Sequence, residues 1–178
     1  MSSIYLRPLT EGDFNDSYLA WFRDPHVTRF LDARSISRTD AIDHLQRGRV
    51  ASAWQLHAIC LMADDRHIGN LKIGPVHWGH MISDLVTVIG ERDAWGRGYA
   101  REAIKLGVDI AFGKLNIRKL SASIDSRNLG SIKAYTAAGF HIETILKDQF
   151  MDTSTSPPLL SDKVFVACFN PKFQPSVN

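Results

Sequence analysis

The sequence predicts a mixed α/β domain of the α+β kind, with a mostly antiparallel sheet of about seven strands and about four helices. Three strand-like runs, 54–62, 67–74 and 81–89, follow one another across short turns, which is typical of an antiparallel meander. An apolar helical pattern from Ala100 to Leu115 then leads to another strand-like run, 118–124. A strand, a helix and a second strand in this order predict a parallel crossover at the end of the meander.

The chain ahead of the meander is expected to supply one strand and two helices. Weak alternation over 4–9 predicts the strand. Aromatic and apolar residues at helical spacing predict a first helix over 14–22. A second helix is expected over 41–46 or slightly beyond, with its cap at 39–40 and its end at Gly48.

The chain after the crossover is expected to supply one helix and two strands. The helix is predicted over 126–138, and the strands over 140–146 and 163–169. Serine and proline residues between these strands predict a mobile loop over 151–161. The tail from Pro171 is expected to be irregular.

Length and composition exclude several classes of protein. A chain of 178 residues, 44% apolar and 22% charged, suits a single globular domain over 1–178. A net charge of +2 without a basic run does not favour nucleic-acid binding, and no apolar run approaches the ~20 residues that cross a bilayer. The N-terminus lacks the layout of a signal peptide, and Cys60 and Cys168 lie in apolar runs. Reduced thiols in a cytoplasmic protein are therefore expected.

A glycine-rich stretch follows the third strand of the meander and leads directly into the crossover helix. Gly96 and Gly98 lie in this stretch and carry no side chain that would shield the backbone. The first amides of a helix have no intrahelical partner, and the helix dipole adds positive charge there. A strand, a glycine-rich turn and a helix N-terminus together predict a site for a phosphate group.

Three interpretations compete on the spacing of the glycines alone. A nucleotide-triphosphate loop needs a Gly-Lys-Ser/Thr ending, and the chain has none here. A dinucleotide loop needs a third small residue at the position that Arg101 occupies. The third interpretation, a tight strand-to-helix turn that binds no ligand, remains possible.

The residues around Gly96 and Gly98 favour one family of phosphate-binding loops. The segment Trp95-Gly96-Arg97-Gly98-Tyr99-Ala100 resembles the pyrophosphate loop of the GNAT superfamily of acyl-CoA-dependent N-acetyltransferases, with Gly98 and Ala100 at its last two fixed positions. Trp95 departs from the usual Gln or Arg, and this departure is similar to the branch of ribosomal-protein N-terminal acetyltransferases.

A second segment supports the same family. Residues 128–140, which begin at Asn128 and end with Gly139-Phe140, resemble the family segment Asn-x-x-Ser-x-x-x-Tyr-x-x-x-Gly-Phe without a break. The order of the expected strands and helices is also that of the family, over nearly the whole chain.

The resemblance implies acetyl-CoA as the acyl donor and assigns its contacts. The strand over 85–89, splayed from its parallel neighbour, would carry the pantetheine arm, with an N–H near Val88 polarising the thioester carbonyl. The implied cofactor-binding residues are Val86, Val88, Arg92, Trp95, Gly96, Arg97, Gly98, Tyr99, Ala100, Asn128 and Ser131.

Two residues are candidates for proton transfer. An attacking amine must lose a proton and the thiolate must gain one. Asp84, where related enzymes often carry an acid, is the candidate base, directly or through a water, and Glu91 is a rival that better suits loop support. Tyr135 is the candidate acid, one turn after Ser131 on the same helix face. The alternatives are a solvated carboxylate for Asp84 and a core aromatic for Tyr135.

No metal site is expected, although His77 and His80 have ligand-like spacing, because no cluster completes a tetrahedral set. The acceptor amine is less defined. A weak likeness of 68–78 to proteins of sugar-nucleotide pathways makes a nucleotide-linked amino sugar the leading acceptor, with Trp54, Trp78 and Phe30 as aromatic contacts.

Two further functions stay open at this point. The α-amine of a protein N-terminus is the alternative acceptor, and a CoA-binding module without turnover is the third interpretation. A homodimer is one option for the oligomeric state. Neither a nucleic acid nor a membrane is expected as a partner.

Overall fold

The computed structural model describes residues 2–174. Seven strands form one sheet in the order β1-β2-β3-β4-β5-β7-β6: β1 Ile4–Pro8, β2 Gln55–Leu61, β3 His67–His77, β4 Ile82–Ile89, β5 Lys119–Asp125, β6 His141–Asp152 and β7 Leu159–Phe169. The α-helices are α1 Asp16–Trp21, α2 Pro25–Thr28, α3 Arg38–Val50, α4 Tyr99–Gly113 and α5 Leu129–Ala137.

The pairing of the strands confirms the meander and the crossover. Strands β1 to β4 pair antiparallel in sequence order, and β4 pairs parallel with β5 through the crossover helix α4. Strand β7 then lies between β5 and β6, antiparallel to both. The sheet is therefore mixed and mostly antiparallel, and residues 2–174 contain one α-helix beyond the expected four, the single turn of α2, and two short 3-10 helices, Glu11–Asp13 and Arg92–Ala94.

Two apolar cores lie on opposite faces of the sheet. Alternate residues of β2 separate them, since Ile59 belongs to the cluster that includes α4 and α5, whereas Ala58 belongs to the cluster that includes α1 and α3. In β4, Leu85 lies in the first cluster and Val88 packs against the second. Each face of β4 thus meets a different set of helices.

A hydrogen-bonded carboxylate joins β1 to the segment that precedes α1. Asp13 accepts hydrogen bonds from Arg7 at 2.6 Å and from the amide of Thr10 at 2.7 Å. Burial acts to raise the pKa of Asp13, but the bonds from Arg7 and Thr10 outweigh burial and hold the pKa at about 2. The charged form of Asp13 therefore stabilises the fold at neutral pH.

Helix α3 is longer than the sequence pattern predicted. The cap is Ser37, whose hydroxyl accepts from the amide of Asp40, and the helix continues through Gly48 to Val50. A Cβ at Gly48 would lie 2.1 Å from Trp54 Nε1. Gly48 therefore makes room for a tryptophan rather than ending the helix.

The expected mobile loop over 151–161 is wrong. Strand β6 continues to Asp152 and β7 begins at Leu159, and Met151 pairs with Leu160 across the hairpin. The serine and proline residues mark only the turn between 152 and 159. In the predicted tail, residues 171–174 are irregular or turn, and 175–178 lie outside the described residues.

The two thiols are free, with Cys60 buried and Cys168 partly buried, as expected. A cytoplasmic location stays a prediction. Within residues 2–174, none of the helices has the length and apolar character to cross a membrane.

Candidate active site

A gap opens between the two parallel strands at the centre of the sheet. Strands β4 and β5 pair only over Ile82–Asp84 and Lys119–Ser121, although β4 continues to Ile89 and β5 to Asp125. Beyond Asp84 the two strands diverge. The second half of β4 therefore has a partner strand, β3, on one edge only.

The hydrogen bonds of β4 show which backbone groups face the gap. The amide of Gly90 donates to the carbonyl of Ile68 at 2.9 Å, so the even-numbered residues of β4 direct their backbone groups toward β3. The carbonyl of Leu85 instead accepts from Tyr135. By this alternation, the backbone groups of Thr87 and Ile89 face the gap.

The alternation of backbone groups along β4 shows which N–H near Val88 faces the gap. The amides of Val86 and Val88 face β3, and their side chains lie on the α1 and α3 side of the sheet, where Val86 is 40% exposed. An N–H that could polarise a carbonyl in the gap therefore belongs to Thr87 or Ile89 rather than to Val88.

The glycine-rich loop lies where β4 ends, at the open end of the gap. Gly96 and Gly98 have φ angles of +74° and +84°, in the left-handed region that favours glycine. Gly98 is the N-cap of α4, and no side chain caps this helix. Within residues 2–174, the amides from Gly96 to Arg101 have no hydrogen-bond acceptor. The loop and the start of α4, which includes Tyr99 and Ala100, thus offer unpaired donors to an anion.

The side chains of the loop fix its shape. Trp95 Nε1 donates to the carbonyl of Ile89 at 2.9 Å, which ties the loop to the last residue of β4. Arg97 Nε donates to the carbonyl of Asp93 at 2.9 Å. Arg92 lies 3.8 Å from Asp24 and 6.0 Å from the centre of the Trp95 ring. Trp95 therefore anchors the loop, and both arginines stay exposed beside it.

Asn128 begins the next helix. Its side-chain carbonyl accepts from the amide of Ser131 at 3.1 Å and caps α5. Among residues 2–174, the side-chain Nδ2 of Asn128 and the hydroxyl of Ser131 have no hydrogen-bond partner. Tyr135 lies one turn further along the same helix.

Tyr135 reaches the gap from the core side of the sheet. Its side chain is 3% exposed, and its ring packs edge-on against Phe140 with the centroids 5.1 Å apart. The hydroxyl donates to the carbonyl of Leu85 at 2.6 Å. Burial raises the pKa of Tyr135 well above its usual range, although neighbouring groups of Thr87 act in the opposite direction. Tyr135 is therefore protonated at neutral pH.

Thr87 is a candidate residue that the sequence pattern did not single out. Its hydroxyl is buried and has no hydrogen-bond partner among the described residues. Buried hydroxyl groups without a partner are uncommon in folded proteins. The sequence signal was a threonine at an otherwise apolar stretch of β4, 85–89, which also suits an ordinary strand.

Asp84 lies on the opposite face of the sheet from Tyr135. It is partly buried and accepts from the hydroxyl of Ser121 on β5 at 2.7 Å. Lys72 of β3 is close enough to interact with it: burial lowers the pKa of Lys72, and the charge of Asp84 acts against this shift. Glu91, the rival base, accepts from Trp21 Nε1 at 2.8 Å and so supports the loop.

The face that carries Asp84 is bounded by a three-way contact. Arg127 donates to Asp125 at 2.8 Å and to Asp152 of the β6–β7 hairpin at 3.0 Å. Its guanidinium also lies 5.7 Å from the centre of the Phe30 ring, in the segment after α2. Phe30 and the hairpin therefore meet at the end of β5.

Of the other expected aromatic contacts, Trp54 lies beside Lys72, with Lys72 Nζ 5.9 Å from the centre of its ring. Trp54 and Trp78 line one cavity at the end of the sheet opposite the glycine-rich loop. His77 is the last residue of β3 and His80 lies in the turn that follows, where the amide of His80 donates to the carbonyl of His77 at 3.0 Å. No three His, Cys, Asp or Glu side chains in residues 2–174 are placed to hold a metal ion.

Comparison with known proteins identifies the family. A model of the Acetyltransferase (GNAT) domain matches residues 3–141, which include the glycine-rich loop, the gap and Tyr135. The chain belongs to this family. It is a GNAT N-acetyltransferase, and the family expected from the two segments is confirmed.

Two named bacterial proteins are similar to most of the chain. The chain is 29% identical over 157 residues to a probable N-acetyltransferase, YjcK, of Bacillus subtilis (strain 168), covering 82% of this chain and 84% of that one. It is 26% identical over 157 residues to spermidine N(1)-acetyltransferase of Escherichia coli (strain K12), covering 83% and 78%.

Two solved structures share the fold. Spermidine N-acetyltransferase of Vibrio cholerae in complex with CoA and spermine superposes with a TM-score of 0.81 at 18% identity, over 96% of this chain and 98% of that one. Ribosomal-protein-S5-alanine acetyltransferase of Vibrio fischeri superposes with a TM-score of 0.82 at 15% identity, over 98% and 97%. The GNAT fold therefore extends over nearly the whole chain.

Proposed function

We propose that this GNAT enzyme transfers the acetyl group of acetyl-CoA to a primary amine in a ternary complex. The observation that carries the proposal is the gap beyond Asp84. Unpaired amides stand at its open end, the Tyr135 hydroxyl enters it from one face of the sheet, and Asp84 lies on the other face.

The donor would lie along β4 with its pyrophosphate on the glycine-rich loop. The unpaired amides from Gly96 to Arg101 and the dipole of α4 would hold the phosphates. Arg92 and Arg97 would add positive charge beside these phosphates. Asn128 and Ser131, whose free groups lie at the start of α5, would contact the pantetheine region together with the edge of β4.

The chemistry divides between the two faces of the sheet. The amine nitrogen attacks the thioester carbonyl, the C–S bond breaks, and the amine proton leaves while the thiolate gains one. Asp84 would take the amine proton, directly or through a water. Tyr135, which is protonated, would give its proton to the sulfur. The N–H groups of Thr87 and Ile89 would stabilise the developing oxyanion.

For the acceptor, we infer a nucleotide-linked amino sugar. The likeness of residues 68–78 to proteins of sugar-nucleotide pathways supports this choice. The alternative is a protein α-amine, which the Trp-Gly-Arg-Gly-Tyr-Ala loop favours through its resemblance to that branch.

A panel of amines tests the acceptor. CoA release is measured with acetyl-CoA and a nucleotide-linked amino sugar, a peptide with a free α-amine, or spermidine, and the N-acetylated form of the sugar serves as the control without an amine. The amino sugar should give the highest kcat/KM. Release with the peptide or spermidine alone would refute the sugar acceptor, and no release above background would leave a CoA-binding module.

A further inference from the structure

One tryptophan connects the first helix to the glycine-rich loop. Trp21 is the last residue of α1, and only 5% of it is exposed. Its indole Nε1 donates to Glu91 Oε1 at 2.8 Å, across 70 residues of the chain. Glu91 directly precedes the 3-10 turn Arg92–Ala94, which leads into the loop. The hydrogen bond therefore attaches the N-terminal part of the chain to the donor site.

The ring of Trp21 also lies directly on the backbone that joins β4 to the loop. A Cβ at Gly90 would overlap the ring atoms of Trp21, so only a residue without a side chain fits there. The same ring makes a T-shaped contact with His67 of β3, with the centroids 5.0 Å apart. Trp21 thus restrains the end of β4 by packing as well as by its hydrogen bond.

A second contact joins the next helix to the same turn. The carboxylate of Asp24 lies 3.8 Å from Arg92 and also accepts from the amide of His26, which caps α2. The Arg92 side chain is 54% exposed, and ion pairs at such positions contribute little to stability. The bond between Trp21 and Glu91 is therefore the main attachment of this segment to the loop.

The far end of the segment 21–30 reaches the other substrate. Phe30 follows α2, and its ring centre lies 5.7 Å from the guanidinium of Arg127. Arg127 joins the end of β5 to the β6–β7 hairpin on the face that carries Asp84. The segment 21–30 therefore extends from the phosphate loop to the border of the face on which the acceptor amine would react.

We propose that Trp21 is a positioning residue for acetyl transfer, which holds the phosphate loop and the border of the acceptor face in one relative position. Trp21 would touch neither substrate and would act through Glu91 and the backbone at Gly90. This inference rests on the proposed function, because it takes acetyl-CoA to lie on the loop and the amine to lie on the face of Asp84.

The variant Trp21→Phe tests the proposal, because it removes the N–H donor and keeps an aromatic ring on Gly90. Isothermal titration calorimetry with CoA should show an increase in Kd of about tenfold, since a charge-assisted hydrogen bond is lost. In steady-state assays with the nucleotide-linked amino sugar, the KM values for acetyl-CoA and for the sugar should both rise while kcat stays within about twofold. A mere loss of folded enzyme would lower kcat and leave both KM values unchanged.

Tyr18→Phe is the matched control for the packing of this core. Tyr18 lies on the same helix, and its ring centroid is 5.4 Å from that of Trp21. This substitution alters the same aromatic cluster without removing the bond to Glu91. The Kd for CoA and both KM values should stay at the native level.

Two variants of Glu91 test whether Trp21 acts through it. Glu91→Ala removes the acceptor and should weaken CoA binding about as much as Trp21→Phe, and the double variant should be no weaker, because the same bond is lost. Glu91→Gln keeps a carbonyl oxygen for the indole N–H and should bind CoA within about threefold of the native enzyme.

Several results would overturn the positioning role. They are an unchanged Kd for CoA or an unchanged KM for the sugar in Trp21→Phe, additive effects of Trp21→Phe and Glu91→Ala, and a fall in kcat of about 100-fold in Glu91→Gln, which would make Glu91 a catalytic base. Failure of the proposed function has a different signature, since the native enzyme would then release no CoA with any amine, and the CoA titrations would still show whether Trp21 positions the loop.

Discussion

Replacing Tyr135 by phenylalanine tests whether Tyr135 acts as a proton donor or only as an aromatic residue of the core. The substitution keeps the ring and its edge-on contact with Phe140 and removes the hydroxyl that donates to the carbonyl of Leu85 at 2.6 Å. If Tyr135 only packs, stability alone should change. If its hydroxyl protonates the leaving thiolate, the rate of the chemical step should fall as well.

The two effects differ in size. Leaving the buried carbonyl of Leu85 without its donor should lower the free energy of unfolding by about 1–3 kcal/mol. A small domain is usually stable by about 5–15 kcal/mol, so the variant of Tyr135 stays folded. Loss of a general acid should lower kcat by about 10²–10⁴-fold, which is about 2.7–5.4 kcal/mol of activation free energy.

The assay compares kcat for CoA release at saturating substrates with the free energy of unfolding in urea. Tyr5→Phe is the matched control, because the Tyr5 hydroxyl contacts Asp65 at 3.1 Å at the exposed surface. This control should keep full activity. A Tyr135→Phe enzyme with normal kcat and reduced stability would show that Tyr135 is a core residue only, and the proposed proton path would be wrong.

Other predictions follow from the loop, the base and the buried ion pair. Gly98→Ala places a side chain at φ +84°, which should lower the free energy of unfolding by about 1–2 kcal/mol and raise the KM for acetyl-CoA. Gly113→Ala, at the end of α4 with open space around its Cα, should leave the KM unchanged and raise the free energy of unfolding by up to about 1 kcal/mol. Asp84→Asn should lower kcat by about 10²–10⁴-fold in steady-state assays, and Asp109→Asn on the exposed side of α4 should not. The pKa of Asp13, about 2 against an ordinary 3.8, makes its stabilisation complete above pH 4 and lost as the pH falls toward 2. After solvent screening, the ionised Asp13 should contribute about 1 kcal/mol to the free energy of unfolding measured in urea. If Asp13→Asn lost as much stability as the native protein between pH 4 and pH 2, this contribution would be wrong.

The sequence was most informative where function depends on local backbone conformation. Gly96 and Gly98 predicted a helix N-terminus whose backbone is open to a phosphate, and the amides of this loop have no acceptor among the described residues. Asn128 was expected near the start of a helix, and it caps that helix. These features depend on a few neighbouring residues, so a single chain reveals them. The family resemblance then supplied the ligand, which local spacing left open.

Features that depend on tertiary contacts could not be predicted in this way. Gly48 looked like a helix stop because only the fold brings Trp54 against it. The direction of the amides in β4 depends on its register with β3, so the expected N–H near Val88 was placed one residue away from those that face the gap. Thr87 was not singled out, because only the fold buries its hydroxyl without a hydrogen bond among the described residues.

A crystal structure of the enzyme with CoA tests the central claim most directly. The account predicts that the pyrophosphate oxygens accept from the amides between Gly96 and Arg101, and that the thiol sulfur lies in the gap within about 4 Å of the Tyr135 hydroxyl. A sulfur atom outside the gap between β4 and β5, with the loop amides still unpaired, would contradict the account.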